Sequence, residues 1–296
     1  MKKLFIICLS ILFLTNANAQ ENNELKFETN FYDAVNKWVV LPKKSTDTTY
    51  TYGFIYMDIS AGITFHLGGS FFIDKNNKYI GDAEPGHQMT KKRLDNPNIV
   101  KMAVLNDKKM AELNLTKEPD WLVHYKFSED SVENLKQLGY HFNHVGACEK
   151  ALLYLNKAYK KEPHHKGLEF EIAYAYNHLE QFDQSLPILE KALKHDPKNY
   201  QFYRELGYAY SKLNKLDMAE KTYKKGISLS DNNFEKSEMA LNMAQGYFLV
   251  KNKAKFDELM LKRKDFFKKA KAQKPSTDQV VDQIKQIEKY ISRMPG

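Results

Sequence analysis

Cysteine is almost absent from this chain: Cys8 and Cys148 are the two in 296 residues. Cys8 lies in an N-terminal apolar run that reads as a removable leader, so the mature chain keeps Cys148 alone. An intramolecular disulfide is then excluded, and no Cys-x-x-Cys pair exists for zinc or redox chemistry. Cys148 itself reads as a small buried apolar residue at a helix start. Long apolar runs are missing too. The longest, Leu4 to Leu14, covers about 11 residues against the ~20 that span a bilayer, so the chain is not expected to cross a membrane. There is no His-Glu-x-x-His motif and no glycine-rich phosphate loop. Asp74-Lys75-Asn76-Asn77 fails as a calcium loop, because Lys78 replaces an oxygen ligand and Pro85 stands where a bidentate glutamate belongs. It reads as a hairpin turn. These absences predict a non-enzymatic protein with no metal and no cofactor.

What is present starts with the leader. Lys2 and Lys3 give a positive start, the apolar run follows, and Ala17-Asn18-Ala19 is a small-x-small cleavage site. Residues 1–19 are therefore expected to be a signal peptide of a bacterial exported protein, periplasmic or extracellular. That compartment makes nucleic acid an improbable partner. Residues 20–129 read as a small α+β domain. Phe31, Ala34, Val35 and Trp38 share one face of a short expected helix that Pro42 ends. Thr49 to Asp58 alternates, with Tyr50, Tyr52, Phe54 and Tyr56 on one face, as a strand does. Gly68-Gly69 reads as a turn between strands at Ile63–Leu67 and Ser70–Ile73, and Tyr79-Ile80 and Ile99–Leu105 as further strands. Asp107 to Leu113 is an expected short helix. Trp121, Leu122 and Tyr125 are expected to pack this domain onto the segment that follows.

From Ser131 a 34-residue pattern takes over. Leu135, Leu138, Gly139, Phe142, Ala151, Leu155, Ala158 and Pro163 open it. Glu169, Ile172, Ala173, Tyr176, Ser185, Leu189, Ala192 and Pro197 repeat it, and Tyr203, Leu206, Gly207, Tyr210, Ala219, Tyr223, Gly226 and Asp231 repeat it again. A fixed period of this length means stacked units that cannot bury their apolar stripes alone. The small residues mark close helix approach, and the prolines stop the second helix of each unit. Pro187 falls near the start of a second helix, where a missing amide donor costs least. Ala244, Tyr247, Phe256 and Met260 keep the columns if about three residues are inserted, which gives a degenerate fourth unit. Ser276 with Gln279 then forms a capping box before Val280, Ile284, Ile287 and Ile291, a one-faced stripe suited to closing the open end.

This pattern is similar to that of the tetratricopeptide repeat family. The resemblance covers about half the mature chain, with repeats at 132–165, 166–199 and 200–233, a degenerate one at 237–270, and a capping helix at 276–292. It implies an all-α helical solenoid over 130–296, which follows the α+β N-terminal domain read from residues 20–129. It further implies that the first helix of each repeat lines a concave face that holds another protein or peptide segment. The columns expected on that face are Lys136, Phe170 and Arg204; Tyr140, Tyr174 and Tyr208; Asn143, Asn177 and Ser211; and His144, His178 and Lys212. Tyrosine offers apolar area plus a hydroxyl, and asparagine can hold a peptide backbone. The same tyrosines could instead pack between helices. Some members of the family grip a C-terminal carboxylate with Lys and Asn. Here Tyr140, Tyr174 and Tyr208 fill the column that such a clamp gives to asparagine, so that mode is not expected.

Charge is uneven as well. The formal net charge is +8, and residues 234–296 hold 14 Lys and Arg against 8 Asp and Glu. Residues 251–274 carry the densest basic run, which reads either as a solvated helix face or as a weak contact with anionic surfaces. The adaptor reading has two rivals: an N-terminal ligand-binding or catalytic unit with the repeats as docking arm, and a cell-envelope assembly factor.

Overall fold

The computed structural model describes residues 25–82, 91–96 and 99–273. The expected signal peptide at 1–19 and the expected capping helix at 276–292 lie outside these residues.

A 3-10 turn at Phe31–Asp33 leads into strand β1 (Lys37–Val40), so Trp38 belongs to a strand and not to the expected helix. Asn36, with φ of 63°, makes the reversal that ends the turn one residue before β1. Asparagine tolerates that left-handed conformation better than most residues. Strands β2 (Tyr50–Asp58), β3 (Gly62–Ile73), β4 (Tyr79–Gly81), β5 (Lys91–Arg93) and β6 (Ala103–Val104) follow, then helix α1 (Asp107–Glu112) and a 3-10 segment at Asp120–Tyr125. The sheet order is β4-β3-β2-β1-β6, with β5 paired to β3. All pairings are antiparallel.

Gly68-Gly69 is not a turn. It lies within the 12-residue strand β3, where Tyr52 faces Gly69 but Gly53 faces Leu67, leaving Gly68 as the extra residue of a β-bulge. The bulge reverses the alternation. Ile63, Phe65 and Leu67 face one side of the sheet, whereas Phe71 and Ile73 face the other. A Cβ on Gly68 would sit 2.7 Å from the Trp38 ring, so the bulge admits only glycine.

Each sheet face has its own cover. Trp38, Val40, Phe54, Tyr56, Phe71 and Tyr79 pack with Leu113 and Leu122, placing α1 and the 3-10 segment on this side. Tyr50, Tyr52, Phe54 and Tyr56 thus share a face, as the alternation predicts, and their face is core. Trp121 packs edge-on and Tyr125 at a tilt against Tyr56 here and not on the repeats, which corrects their expected role. The opposite face does that work. Val39, Ile55, Met57, Ile63 and Phe65 share one core with Leu135, Leu138, Phe142 and Cys148. Cys148 is buried, and burial pushes its thiol up to about 11, where it is inert.

The repeats follow as paired helices: α2 (Val132–His144) with α3 (Cys148–Lys161), α4 (Leu168–His178) with α5 (Phe182–His195), α6 (Tyr200–Lys212) with α7 (Leu216–Leu229), and α8 (Asn233–Leu249) with α9 (Lys253–Gln273). Ser131, Asn199 and Asn232 cap first helices by accepting backbone N–H bonds. Within pairs the small residues are obligatory. A Cβ on Gly139 would lie 2.3 Å from Leu155, and one on Gly207 2.8 Å from Tyr223. Pro187 stands at the sixth residue of α5, further in than its expected place near the helix start. It cannot donate to the carbonyl of Asp183, and that residue is exposed to water.

The turn inside each pair repeats as well. Gly146, Glu180, Asn214 and Lys251 all have φ between 57° and 78°. The next residue in each case donates back to the helix: Ala147 to Phe142, Gln181 to Tyr176, Lys215 to Tyr210 and Asn252 to Tyr247. That is a Schellman closure used four times. It fixes the fourth repeat in register with the first three once the inserted residues are allowed for.

Candidate functional site: the first-helix wall of the repeats

The residues expected on the concave face fall into two groups. The first group is committed to holding the helices in register. The Asn143 amide donates to the Glu171 carbonyl at 2.9 Å and to its carboxylate at 2.8 Å. One repeat on, the Asn177 amide donates to the Glu205 carbonyl at 3.1 Å and carboxylate at 3.0 Å. Both asparagines are buried, so their amide donors bridge α2 to α4 and α4 to α6 and are not free to hold a peptide. Burial raises the Glu171 carboxyl above its ordinary range, against the hydrogen bond from Asn143 that lowers it. Arg204 bonds Glu205 at 3.1 Å and also Glu235, and its guanidinium lies 5.0 Å from the Phe170 ring centroid. It is a strut between α6 and α8. Lys136 is held by Glu133 at 2.7 Å and by the Lys166 carbonyl at 3.3 Å.

The second group faces outward in matched pairs one helical turn apart. Tyr140 stacks on His144 at 6.0 Å between ring centroids, and Tyr174 lies against His178 at 4.2 Å. The Lys212 ammonium sits 5.3 Å from the Tyr208 ring centroid. His144, His178 and Lys212 are exposed; Tyr140 is exposed, and Tyr174 and Tyr208 are half-buried. Burial pushes the Tyr174 phenol up to about 12, so it stays a protonated donor near neutral pH. Phe170 packs beside Tyr174 at 6.3 Å and extends the aromatic row. The wall therefore presents aromatic faces, hydroxyls and nitrogen groups, while the carboxylates behind it are bonded within the array.

His164 and His165, in the loop between the first two repeats, are structural. His164 bonds Glu169 at 2.8 Å and stacks on His195 at 4.0 Å, and His165 bonds Glu133 at 2.8 Å. Among the described residues no group of three His, Cys, Asp or Glu is placed to hold a metal ion. The described part of the basic C-terminal run is paired in part: Lys253 pairs with Asp257, Lys262 with Glu258 and Lys269 with Asp265. Lys255 reaches Glu220, which Lys224, Tyr247 and Lys255 together hold down at about 2 although burial opposes the shift. No helix among the described residues is long and apolar enough to cross a membrane.

Sequence reasoning missed one cluster, on the sheet. Lys91 donates to the Tyr125 hydroxyl at 2.6 Å, Tyr125 packs on Tyr56 at 4.5 Å, and the buried His66 lies 4.1 Å from Trp121. The bond from Lys91 holds the Tyr125 phenol below its usual range, and burial lowers His66. The signal was unreadable because β5 was not foreseen, and β5 brings Lys91 opposite His66.

Residues 178–236 match the tetratricopeptide repeat family model. Among solved structures, a thermophilic TPR protein of Thermus thermophilus is 19% identical, covers 60% of this chain and 87% of its own, and gives a TM-score of 0.44. MamA from Desulfovibrio magneticus RS-1 is 20% identical over 58% of this chain and 87% of its own, with a TM-score of 0.39. MamA of MSR-1 is 19% identical over 50% and 84%, with a TM-score of 0.41. No curated protein matches the chain in sequence. The family match and the four in-register helix pairs identify the helical half of the chain as a tetratricopeptide repeat array, joined to an N-terminal sheet that matches no family model.

Proposed function

We propose that this is an exported, non-enzymatic adaptor that holds a segment of another protein along the first-helix wall of its repeats. The observation that carries this reading is the three-fold recurrence of Tyr140 with His144, Tyr174 with His178 and Tyr208 with Lys212. These pairs stand on a frame already fixed by Asn143, Asn177 and Arg204, so little order is lost when a partner docks. Tyrosines of this kind are frequent binding anchors, because a large rigid ring is presented with few rotors. Export rests on the leader features of residues 1–19. A periplasmic or extracellular site of action follows from that leader.

The test is capture of partners from the envelope fraction of the source cell, with wild type beside Tyr140→Ala/Tyr174→Ala/Tyr208→Ala. A near-stoichiometric protein lost only in the variant supports the wall. The same protein held by both, with the variant's melting unchanged, removes it. A second reading places the function in the sheet, at Lys91, Tyr125 and His66, with the repeats as its docking arm. Its specific support is the 2.6 Å bond from Lys91 to the Tyr125 phenol, beside a buried His66 whose Nδ1 has no partner. A Tyr125→Phe variant that keeps every partner but loses biological activity would favour this second reading.

A further inference from the structure

The turns inside the four helix pairs follow one another along one edge of the array, because the first helices lie side by side. The end of α8 meets the end of α6 there: a Cβ on Gly246 would lie 2.7 Å from the Ser211 hydroxyl. The residue that closes each first helix is apolar in every pair: Val145, Leu179, Leu213 and Val250. Its surroundings change along the edge. Val145 is 3% exposed, in the core shared with the sheet, and Leu179 is half-buried against that core. Leu213 is 39% and Val250 44% exposed. Two further apolar side chains join them in water, Leu249 at 72% and Met218 at 46%. The turn register puts Leu249 in the column of His144, His178 and Lys212, and Met218 in that of Lys150, Gln184 and Lys255. Both columns are polar in the other pairs, so packing of the repeats does not require an apolar residue at either place.

Charge changes along the same edge. The second turn carries Glu180 and Asp183, both exposed. The third carries Lys212, Lys215 and Asp217, and the fourth carries Lys251 and Lys253 with no carboxylate from Phe248 to Phe256. The carboxylates below these turns are engaged: Glu220 by Lys224, Lys255 and Tyr247, Asp257 by Lys253, and Glu258 by Lys262. Asp217 stands against Lys215 and Lys251, which are exposed and have no ion-pair partner among the described residues. Beyond the fourth turn the field stays positive, since residues 248–273 hold nine Lys and Arg against three Asp and Glu. Apolar side chains and unpaired ammonium groups therefore coincide at the last two turns and at neither of the first two. A side chain as exposed as Leu249 has no pocket walls around it, so the tips suit a surface that moulds itself to them. We propose that the third and fourth turns form a docking edge for an anionic bilayer surface, with Met218, Leu249 and Val250 entering the interface and Lys215 and Lys251 meeting acidic headgroups. Apolar tips and nearby lysines act together in such contacts, because neither holds a protein at a membrane for long by itself. The edge stands apart from the wall reading, as Tyr140, Tyr174 and Tyr208 take no part in it.

The experiment is sedimentation of the full mature chain with vesicles of phosphatidylcholine alone, or with about 30% phosphatidylglycerol added. Wild type is compared with Met218→Gln/Leu249→Gln and with Lys215→Glu/Lys251→Glu. The repeats already accept such residues, since Gln184 holds the place of Met218, and Glu180 that of Lys251 at the same φ of 57°. Wild type is expected to bind the anionic vesicles about tenfold or more tightly than the neutral ones, and each variant to lose about tenfold. Raising salt from about 50 to about 300 mM should weaken wild type more than the charge variant. Tyr140→Ala/Tyr174→Ala/Tyr208→Ala should bind vesicles like wild type; if it loses them, the assignment to the turns is overturned. Equal binding of wild type to both vesicles, or to neither, overturns the lipid chemistry. Turn variants that keep full binding while Lys264→Glu/Lys268→Glu loses it would move the contact to α9 and overturn the edge. A wild-type dimer in sedimentation equilibrium that Met218→Gln/Leu249→Gln abolishes, with no vesicle binding, would make the occupant a second copy of the chain. If charge reversal lowers the melting temperature, Lys215→Gln/Lys251→Gln carries the same test.

Discussion

Single residues set how closely the helices approach. Gly139 meets Leu155 with no space for a methyl group, so Gly139→Ala is expected to destabilise the chain by about 1–3 kcal/mol despite alanine's better helix propensity. Chemical denaturation reads this directly. Asn177→Ala should cost about 1–3 kcal/mol, because it strips hydrogen bonds from the buried Glu205 carboxylate and carbonyl. Its effect on partner binding should follow stability alone. The small-residue columns were legible in the sequence since they recur at the repeat period. The bonds of Asn143 and Asn177 were not, because each partner lies 28 residues on, in the next helix pair, and half of each bond is to backbone. Two buried histidines add a pH dependence. His66 and His141 are held below the ordinary range by burial, so both are neutral when folded and bind protons more readily when unfolded. Stability is then full above the unfolded histidine value of about 6.5 and falls as pH drops below it. Thermal melts between neutral and mildly acid pH should show that loss, and it should be smaller in His141→Gln, which keeps a donor for the Ile59 carbonyl.

At the scale of elements, the turn within each repeat needs a left-handed residue, and the chain supplies glycine once. Glu180 and Lys251 occupy that position at φ of 57°. Glu180→Gly and Lys251→Gly should each stabilise the chain by about 0.5–1 kcal/mol, the relief of left-handed strain exceeding the extra entropy of glycine. An unchanged or lower melting temperature would contradict the strain. This column was invisible in the sequence because four different residue types, Gly146, Glu180, Asn214 and Lys251, fill it, and backbone geometry unites them. The sheet was the least legible element for a related reason. Gly68-Gly69 has the composition of a turn, and only pairing with β2 makes it a bulge. That one residue shifts the alternation, so a simple period-two pattern does not hold along the whole of β3. Trp38 was assigned to a helix because Phe31, Ala34, Val35 and Trp38 match helical spacing; the reversal at Asn36 breaks it.

At the scale of the whole molecule, the sheet shares one core with the first helix pairs of the repeats. Ile55, Ile63 and Phe65 share a core with Leu135, Leu138 and Phe142. Unfolding should therefore couple the sheet to the first two helix pairs. Fluorescence of Trp38 and Trp121, both in the sheet unit, and helical circular dichroism should lose their folded signals together at the start of the transition. A sheet signal that melts well apart from all helical signal would show independence. In the basic run at 251–274, Lys253, Lys262 and Lys269 are paired along α9 and Lys255 is paired to Glu220. The repeat array was legible as a whole because its period is long and strict. The junction was not, since residues that meet there, such as Ile59 and His141, are 82 apart in sequence.

The central claim is that the first-helix wall is the working surface. The most direct measurement is hydrogen–deuterium exchange of the full mature chain with and without its captured partner. The account predicts added protection in α2, α4 and α6 around Tyr140, Tyr174 and Tyr208, with α3, α5 and α7 unchanged. Protection confined to the second helices, or to the sheet with the first helices unaffected, would contradict it.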